Sequence, residues 1–441
     1  MHQKILIVGT VPYNRQMSSR AFESYFSNWE KENLAQIFSN PNEPVQGHCG
    51  TFFQITDKRM LMRRLKKMDT GVIYNDSELT NESKNIIGKN NKGFISKLYG
   101  LGSRKFPLNH LLRSWLWKKD YWCTQKLNKW LDDFSPECVF LAFSDDFFIP
   151  QIALYVAEKY DVPIISCIGD DYYFNDRKSI SPFYYIYKYR YKKLIQKVFN
   201  HGGSAAYIGN KIRDKYNLEF SINGETVYLT SELKRHEFRK INLENPYISY
   251  CGNIRLGRAE SLCMIATSFS KINPNYKIHI FSNESEEKYY NVLKKHPNII
   301  YEGSVPYSSV MDIMNKSDIL LIVEGFKKKD VDITRYSLST KVADSLAIGG
   351  SILTLGSIDC GAIEYMKNID CGPVCTSTDQ LDINIKKLLY DEEYQRKNYE
   401  KSYEISNKNH NLQNSNRIFE EIVENAIKIY YTRGENSGVK R

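Results

Sequence analysis

The segment Ser337–Leu355 places a polar start, a short helical pattern, a glycine pair and an apolar run in immediate succession. Ser339 and Thr340 are of the residue types that favour helix N-termini, so they predict where a helix begins. The pair Gly349–Gly350 predicts its end, because glycine readily takes the left-handed conformation that terminates helices. The apolar residues that follow predict a buried β-strand. A helix that leads so directly into a strand is typical of parallel α/β folds.

The predicted start of this helix also suits an anion. A helix N-terminus presents unpaired backbone N–H groups and a partial positive charge. Lys341 adds a full positive charge one residue into the helix. Together these features favour the binding of a diphosphate. An ordinary capped helix between two buried strands would have the same residues, so both interpretations stay open at this point.

The composition is that of a soluble globular protein with more than one domain. The 441 residues exceed one ordinary core, and 42% of them are hydrophobic and 25% charged. Apolar runs stay well short of the ~20 residues of a membrane span, and no signal peptide is indicated. The nine cysteines form no C-x-x-C pair, so neither a zinc site nor a disulfide framework is indicated. We therefore expect a cytoplasmic protein with free thiols.

The formal net charge of +10 predicts a polyanionic partner. Basic residues cluster in Lys58–Lys67, Arg104–Lys119 and Tyr184–Lys197, the last two with interleaved Trp or Tyr. This mixture suits an anionic membrane surface, where amphipathic rings lie at the headgroup level. Nucleic acid would use the same residue types, but no recognised nucleic-acid-binding module surrounds these segments. We therefore expect peripheral association with the inner face of the cell membrane and no nucleic acid; a solvated basic face is the alternative for each segment.

Short apolar strands alternate with helical patterns along the chain, which indicates parallel α/β units. The predicted elements of the N-terminal half are strands Lys4–Val8, Cys138–Phe143, Pro163–Ile168, Ala205–Ile208 and Thr226–Leu229, and helix Gln151–Lys159. The polar segment Glu232–Glu244 is interpreted as a linker. The elements predicted after it are strands Tyr247–Cys251, Lys277–Phe281, Ile299–Tyr301 and Ile319–Val323, and helices Glu260–Phe269 and Ser308–Asn315. This order predicts two doubly wound domains facing one another, with a ligand at the carboxyl ends of both sheets.

Three segments of the second half resemble GT-B glycosyltransferases of the family 4 kind, in the order in which that family has them. Tyr250–Arg258 is similar to the strand, glycine and basic loop that open the nucleotide domain. Tyr301–Tyr307 is similar to the loop that contacts the base, and Lys341–Gly350 to the family's E-a-l-a-x-G-x-P-v segment. The resemblance implies an α/β fold of two Rossmann-like domains facing across a cleft. Its expected parts are an acceptor-binding domain (1–245), a nucleotide-sugar-binding domain (246–415), and a C-terminal helix and tail (416–441) that packs back on the first domain.

Roles for individual residues follow from this resemblance and from the chemistry of glycosyl transfer. The expected donor-binding residues are Gly9, Gly252, Arg255, Arg258, Val305, Ser339, Thr340, Lys341 and Asp344. Arg258 is the preferred cation for the departing diphosphate and Arg255 is its rival, although solvated loop arginines would look the same. Fixed cations and helix N-terminal amides stabilise a diphosphate without a metal, so neither a metal nor another cofactor is expected. Asp344 either contacts a sugar hydroxyl or forms an intrahelical ion pair with Lys341.

Four acidic residues follow the carboxyl ends of predicted central strands: Asp145, Asp146, Asp170 and Asp171. This edge of a doubly wound sheet is the edge that binds ligands. A carboxylate there can accept the proton of an acceptor hydroxyl or stabilise the forming oxocarbenium ion. We expect Asp170 to be the catalytic residue, with Asp171 and Asp145 as the next candidates. Ordinary loop and capping roles are the alternative for such pairs.

These observations predict a hexosyltransferase-like enzyme of cell-envelope polysaccharide biosynthesis. It would move a sugar from a nucleotide sugar to a hydroxyl of a lipid-linked or polysaccharide acceptor, and the resemblance implies retention of the anomeric configuration. In one departure, Tyr336 stands where the family has the first carboxylate of a pair whose second position is Asp344. Two alternatives therefore stay open: a nucleotide-sugar epimerase or hydrolase of the same fold, and a non-catalytic partner subunit.

Overall fold

The computed structural model of the chain describes residues 2–13, 19–66, 68–80, 107–175 and 179–436. The chain divides into two compact units, Met1–Val227 with Asn416–Arg441, and Tyr228–Ser415. Two parts of the predicted basic segments, Lys67 and residues 104–106, lie outside the described residues. Each unit contains its own sheet, parallel in the second unit and parallel except for one pair in the first, and its own hydrophobic core.

The described residues of the first unit form a sheet of eight strands in the order β4-β3-β2-β1-β5-β6-β7-β8. The strands are β1 (Ile5–Gly9), β2 (Leu34–Phe38), β3 (Thr51–Ile55), β4 (Gly71–Asn75), β5 (Cys138–Ala142), β6 (Ile164–Ile168), β7 (Gly203–Tyr207) and β8 (Glu225–Thr226). All neighbours pair in parallel except β3 and β4, which are antiparallel. Strands are added to one side of β1 and then, from β5 onward, to its other side. The switch point of this sheet therefore lies between β1 and β5.

Helices cover both faces of this first sheet. They are α1 (Ser19–Phe26), α2 (Asp57–Lys66), α3 (Pro107–Leu116), α4 (Lys119–Trp122), α5 (Gln125–Phe134), α6 (Phe148–Tyr160), α7 (Pro182–His201) and α8 (Asn210–Phe220). β1 is buried over its full length, and its alternate side chains enter two separate hydrophobic clusters. Leu6 joins a cluster with Trp117 and Ile152, whereas Ile7 joins Phe26. Successive side chains of a strand point to opposite faces, so a strand covered on both faces is expected to be largely apolar.

The second unit contains a sheet of six described strands in the order β11-β10-β9-β12-β13-β14, with every pair parallel. The strands are β9 (Ile248–Cys251), β10 (Ile278–Phe281), β11 (Ile299–Gly303), β12 (Ile319–Val323), β13 (Ser351–Leu355) and β14 (Val374–Cys375). The helices are α9 (Arg258–Ile272), α10 (Glu287–Lys294), α11 (Tyr307–Lys316), α12 (Lys328–Thr334), α13 (Thr340–Ile348), α14 (Gly361–Ile369), α15 (Leu381–Tyr390) and α16 (Glu392–Asn409). The switch point of this sheet lies between β9 and β12.

The predicted α/β class with two doubly wound, Rossmann-like domains is confirmed. β12 has the predicted bounds, and most other predicted strands agree within two residues. The predicted strand Thr226–Leu229 is wrong beyond its first residue, because β8 ends at Thr226. β2, β3 and β4 were not predicted.

The interpretation of Glu232–Glu244 as a linker is wrong, because this segment packs on the second unit. Arg235 donates from Nη1 to the carbonyl of Leu346 at 3.2 Å, and its guanidinium lies 3.9 Å from the ring centroid of Tyr399. Ile241 is buried in the same core as β9. The division between the units accordingly falls between residues 227 and 228 instead of 245 and 246.

The last described helix, α17 (Leu412–Asn436), belongs to the first unit from Asn416 onward. The ring centroid of Phe419 lies 5.0 Å from that of Tyr25 and 5.2 Å from that of Phe26. Asn416 donates from Nδ2 to the Ser27 hydroxyl at 2.6 Å. The C-terminal helix thus completes the cluster on one face of the first sheet. No helix in the described ranges, α17 included, combines the length and apolar character needed to cross a membrane.

His410, between α16 and α17, is a buried histidine held in its neutral form. Its Nδ1 lies 2.7 Å from the carbonyl oxygen of Leu229, and its Nε2 lies 2.9 Å from the hydroxyl of Tyr365. Because a carbonyl only accepts, we assign the ring proton to Nδ1 and an accepting role to Nε2. Burial lowers the pKa of His410 from 6.5 to about 4, against the opposing effect of the Leu229 hydrogen bond.

We therefore expect acid to destabilise the second unit through His410. The folded-state pKa lies below the unfolded value, so between these two values the unfolded chain binds more protons and stability falls as the pH falls. His410 should contribute a loss of about 2 kcal/mol in the free energy of unfolding between pH 7 and pH 5. Urea unfolding of the wild type and of His410→Gln at both pH values isolates the contribution of His410 to the pH dependence of stability. Equal pH dependence of the two proteins would contradict it.

Candidate functional site

Five side chains or backbone positions meet at the switch point of the second sheet. Gly252 follows β9 directly and Glu324 follows β12 directly, while Tyr250 lies within β9. Arg258 begins α9, and Lys341 lies in the first turn of α13. We call this group the β9/β12 site. Ligands of open α/β sheets bind outside the carboxyl ends of the strands at such a point.

Lys341 is the accessible cation of the β9/β12 site. Its Nζ donates to the hydroxyl of Tyr250 at 3.3 Å and lies 4.8 Å from the centroid of that ring. A Cβ at Gly252 would lie 2.5 Å from this Nζ, and the φ of Gly252 is +147°. Glycine is thus needed at position 252 both for its backbone and for the space that Lys341 occupies. Within the described residues, Lys341 forms no ion pair with a carboxylate.

The start of α13 lies where the sequence predicts it. Ser339 takes the N-cap position and Thr340, which is exposed, is the first helical residue. The Ser339 side chain makes no capping hydrogen bond, so the residue marks the helix start without satisfying its backbone donors. At the other end, Gly349 has a φ of +84° and closes the helix as expected. The α13 N-terminus therefore adds backbone donors and a partial positive charge next to Lys341.

Asp344, one turn after Lys341, is buried in α13. Its Oδ1 accepts a hydrogen bond from the Ser231 hydroxyl at 2.7 Å. This contact ties the segment after Tyr228 to α13, which is a structural role that the sequence does not reveal. The predicted contact of Asp344 with a sugar hydroxyl stays a prediction.

Arg258 differs from the solvated loop arginine that the sequence allowed. Its side chain is 12% exposed, and its Nη2 lies 2.9 Å and 2.8 Å from the two carboxylate oxygens of Glu324, whose side chain is 4% exposed. Burial is the largest single influence on the pKa of Arg258 and lowers it, but the charge and hydrogen bond of Glu324, together with Tyr250, raise it by more, so the net pKa is raised. An internal carboxylate therefore compensates this cation, and an anionic ligand would compete with Glu324 for it.

Arg255, the rival diphosphate cation, is also compensated. Its Nε lies 2.5 Å from one carboxylate oxygen of Glu284 and its Nη2 lies 2.8 Å from the other. Glu286 adds a second carboxylate at 3.0 Å. The hydrogen bond between Arg255 and Glu284 raises the pKa of the arginine and lowers the pKa of Glu284 to about 2. This bidentate ion pair connects the loop after β9 to the loop after β10.

Two other predicted donor residues are not part of the β9/β12 site. Gly9 belongs to the first unit, where it ends β1; a Cβ there would lie 3.0 Å from the Cβ of Ala142 on the neighbouring strand. Val305 lies half-buried in the loop between β11 and α11. Since β11 is the edge strand, this loop is two strands away from β9.

Asp171, at the carboxyl edge of the first sheet, organises its own loop. Its Oδ1 accepts hydrogen bonds from the backbone N–H groups of Tyr173 at 3.1 Å and Phe174 at 2.8 Å, and from the hydroxyl of Tyr216 at 2.8 Å. Burial raises the pKa of Tyr216 well above its usual value, and the charge of Asp171 raises it further. Three donors on one oxygen indicate a structural carboxylate.

The other three acids of this edge differ in exposure. Asp170 is exposed in the loop that follows β6, whereas Asp145 and Asp146 are half-buried after β5. Asp146 forms an ion pair with Arg113, which also holds Asp57 at 3.0 Å. The backbone carbonyl of Asp145 accepts a hydrogen bond from the hydroxyl of Tyr187 on α7. Asp170 is therefore the acid of this group that is most open to a ligand.

Two residues of the β9/β12 site were missed from the sequence. Glu324 directly follows an apolar strand, which is the same signal that singled out Asp145 and Asp170. Tyr250 gives no such signal, since an aromatic residue inside a strand is ordinary core. Within the described residues, no group of three or more His, Cys, Asp or Glu side chains lies close enough to hold a metal ion.

Comparisons with known proteins were made by sequence and by structure. No protein-family model and no curated protein matches the sequence. Crystal structures of Anabaena Alr3699/HepE superpose with a TM-score of 0.56 in the UDP complex (9% identity) and 0.56 in the UDP-glucose complex (8% identity); each alignment covers 96% of this chain and 100% of that chain. A glycosyltransferase from Rickettsia africae ESF-5 superposes with a TM-score of 0.50 at 13% identity, with the same coverage. At such identities the likeness shows the fold, which is that of GT-B glycosyltransferases; family 4 in particular stays a prediction.

Proposed function

We propose that this chain is a glycosyltransferase that uses a nucleotide-sugar donor. The acceptor would be a hydroxyl of a lipid-linked or polysaccharide molecule, in cell-envelope polysaccharide biosynthesis. The observation that carries the proposal is Lys341, an ammonium that pairs with no carboxylate among the described residues and lies at the N-terminus of α13, at the switch point of its sheet. Such a place binds diphosphates through charge and backbone donors together.

The donor is proposed to be a nucleoside diphosphate hexose, with UDP-glucose as the first compound to test. Support comes from Anabaena Alr3699/HepE, which has been crystallised with UDP and with UDP-glucose. Lys341 and the α13 amides would stabilise the diphosphate as negative charge develops on it. No metal or other cofactor is proposed for this step, and retention of the anomeric configuration follows only from the family resemblance.

A thermal-shift panel of nucleoside diphosphates and their sugars tests the donor site. A ligand that binds only the folded state raises the melting temperature by mass action, about 2.7 kcal/mol of stabilisation at a hundred times its dissociation constant. We expect stabilisation by at least one nucleoside diphosphate and weaker or no stabilisation by the matching monophosphate. A protein that no nucleotide stabilises would refute the proposed function.

Asp170 is proposed to accept the proton of the acceptor hydroxyl. We expect Asp170→Asn to lower turnover by on the order of a hundredfold, the usual contribution of a positioned acid–base group, with nucleotide binding unchanged. The matched variant Asp171→Asn should instead lower the melting temperature, because Asp171 holds three donors of its loop. Full activity of Asp170→Asn in a transfer assay would exclude this role.

A membrane-facing surface is proposed on α7. Tyr187 and Tyr191 anchor the inner side of this helix, where their hydroxyls donate to the backbone carbonyls of Asp145 and Ser144. The exposed residues of the helix combine large apolar or aromatic groups with cations: Phe183, Tyr185, Ile186, Tyr189, Arg190, Lys193 and Lys197. Lys188 is not part of this surface, because its Nζ donates to two backbone carbonyls of the loop after β6.

Replacing Arg190, Lys193 and Lys197 by Gln should weaken binding to anionic vesicles on the order of a hundredfold at low salt. Each cation near such a surface contributes about 1 kcal/mol, and the attraction should fade as salt screens it. Co-sedimentation with vesicles that contain phosphatidylserine, at low and at high salt, measures this effect. The control replaces Lys288, Lys294 and Lys295 of the second unit, which removes the same net charge. Equal losses for both triple variants would mean that only net charge matters.

A further inference from the structure

A cavity of about 230 Å³ lies at the carboxyl edge of the first sheet, where β1, β5 and β6 end. Phe22 and Tyr25 of α1 form one wall, and Phe140 and Phe143 form another. This is the switch point between β1 and β5, the place where an open α/β sheet binds its ligands. Nothing in the donor chemistry described above uses this cavity.

The described lining of the cavity favours an apolar ligand. None of the described residues that line it carries a charge, and most present carbon surface. The hydroxyl of Tyr25 is engaged at 3.3 Å by the thiol of Cys167. Burial raises the pKa of Tyr25 well above its usual value, so this hydroxyl stays neutral. An apolar group would be desolvated against the aromatic rings of this lining.

We infer that this cavity binds the apolar part of the acceptor, an alkyl or aryl group that adjoins the hydroxyl receiving the sugar. The inference rests on the proposed glycosyltransferase function and names the acceptor class for it. Gly169 lines the cavity, and the next residue is the exposed Asp170. A group seated here therefore lies beside the loop that carries the proposed base.

The volume sets the size of that group. An apolar cavity of about 150 Å³ takes one benzene molecule. By the same ratio, 230 Å³ holds roughly six to nine carbon atoms. A longer chain would extend beyond the cavity and gain little from it.

A series of alkyl β-glucosides, each below its micelle concentration, tests the cavity in the wild-type protein. Affinity by calorimetry should rise about fourfold for each added methylene and level off at roughly six to nine carbons. No dependence on chain length would overturn the inference. An undiminished rise to dodecyl would also overturn it, because that is the behaviour of a flat apolar surface.

The variant Gly169→Leu fills the cavity directly. A Cβ at Gly169 meets no atom of the described residues within 4 Å, and its backbone does not have a left-handed φ, so a larger side chain is compatible with the described fold. We expect at least a tenfold loss of octyl glucoside affinity, with the nucleotide-induced thermal shift retained. Asn200→Leu, which adds the same side chain on the exposed side of α7, should bind octyl glucoside like the wild type. Equal affinity of Gly169→Leu and Asn200→Leu would place the alkyl chain elsewhere.

The two readouts separate failure of the cavity from failure of the proposed function. Nucleotide stabilisation without alkyl selectivity would overturn the cavity while leaving the glycosyltransferase intact. Alkyl selectivity without any nucleotide stabilisation would overturn the assignment to an acceptor, since no donor would exist. Both together, with the loss in Gly169→Leu, are the expected result.

Discussion

Replacing Lys341 by methionine is expected to weaken nucleoside diphosphate binding ten- to a hundredfold or more. A hydrogen bond between charged groups contributes about 1.5–3 kcal/mol, and each 1.4 kcal/mol is a factor of ten in affinity. Methionine is one atom shorter than lysine but retains an unbranched apolar side chain, while the contact of the ammonium with the Tyr250 ring is lost. Because no carboxylate of the described chain depends on Lys341, the melting temperature without ligand should hardly change. Calorimetric titration with UDP measures the effect.

The matched control for this variant is Lys328→Met. Lys328 lies in α12 of the same unit, is 85% exposed and pairs with Asp332 four residues on. It removes the same charge from the same unit, so any long-range effect of net charge should appear in both variants. Equal affinity of the two variants for nucleotides would remove Lys341 from the donor site.

Replacing Arg258 by methionine is expected to lower the free energy of unfolding by about 3–5 kcal/mol. The change would leave the Glu324 carboxylate, 4% exposed, without its cation. Breaking a buried pair by removing one partner costs this much because a charge stays behind in an apolar surrounding. Thermal or urea unfolding of the variant, measured without ligand, tests the expectation.

The double variant Arg258→Met/Glu324→Met distinguishes a structural pair from a binding residue. Replacing both members of a buried ion pair by apolar groups is often neutral, so most of the stability should return. Nucleotide affinity should stay low if Arg258 also contacts the diphosphate, and return to the wild-type value if its role is structural. Additive losses of stability from the two single replacements would contradict the pairing itself.

The strands that were predicted from the sequence are mainly those whose buried side chains are all apolar. β12 contains five apolar residues buried on both faces, and its bounds were predicted without error. β2 and β3 each contain a buried glutamine, Gln36 and Gln54, which breaks the apolar pattern. Gln36 accepts the N–H of Tyr13 at 2.6 Å and donates to the carbonyl of Val11 at 2.9 Å. Such satisfied polar residues are compatible with a core strand, but a single sequence cannot show their partners.

Site residues could be predicted where neighbouring residues in the sequence indicate their role. Their partners could not be predicted where the two residues are far apart in the sequence. Lys341 was identified because a lysine in the first turn opposes the helix dipole and needs a reason to be there. Arg258 was identified as well, but its partner Glu324 lies 66 residues further along the chain. The same limit applies to Asp344, whose contact with Ser231 spans 113 residues. The position of an acidic residue at the end of a predicted strand indicates at which edge of the sheet it lies. It does not indicate which donor or cation the carboxylate is paired with.

The account is tested most directly by incubating the protein with labelled UDP-glucose, a panel of other labelled nucleotide sugars, and a membrane lipid extract. We expect one donor to transfer its label to a lipid-extractable product, and both Lys341→Met and Asp170→Asn to reduce that transfer strongly. Label released as free sugar or converted to another nucleotide sugar would indicate a hydrolase or an epimerase. Nucleotide binding without any turnover would indicate a non-catalytic partner subunit, and either result would contradict the proposed transfer.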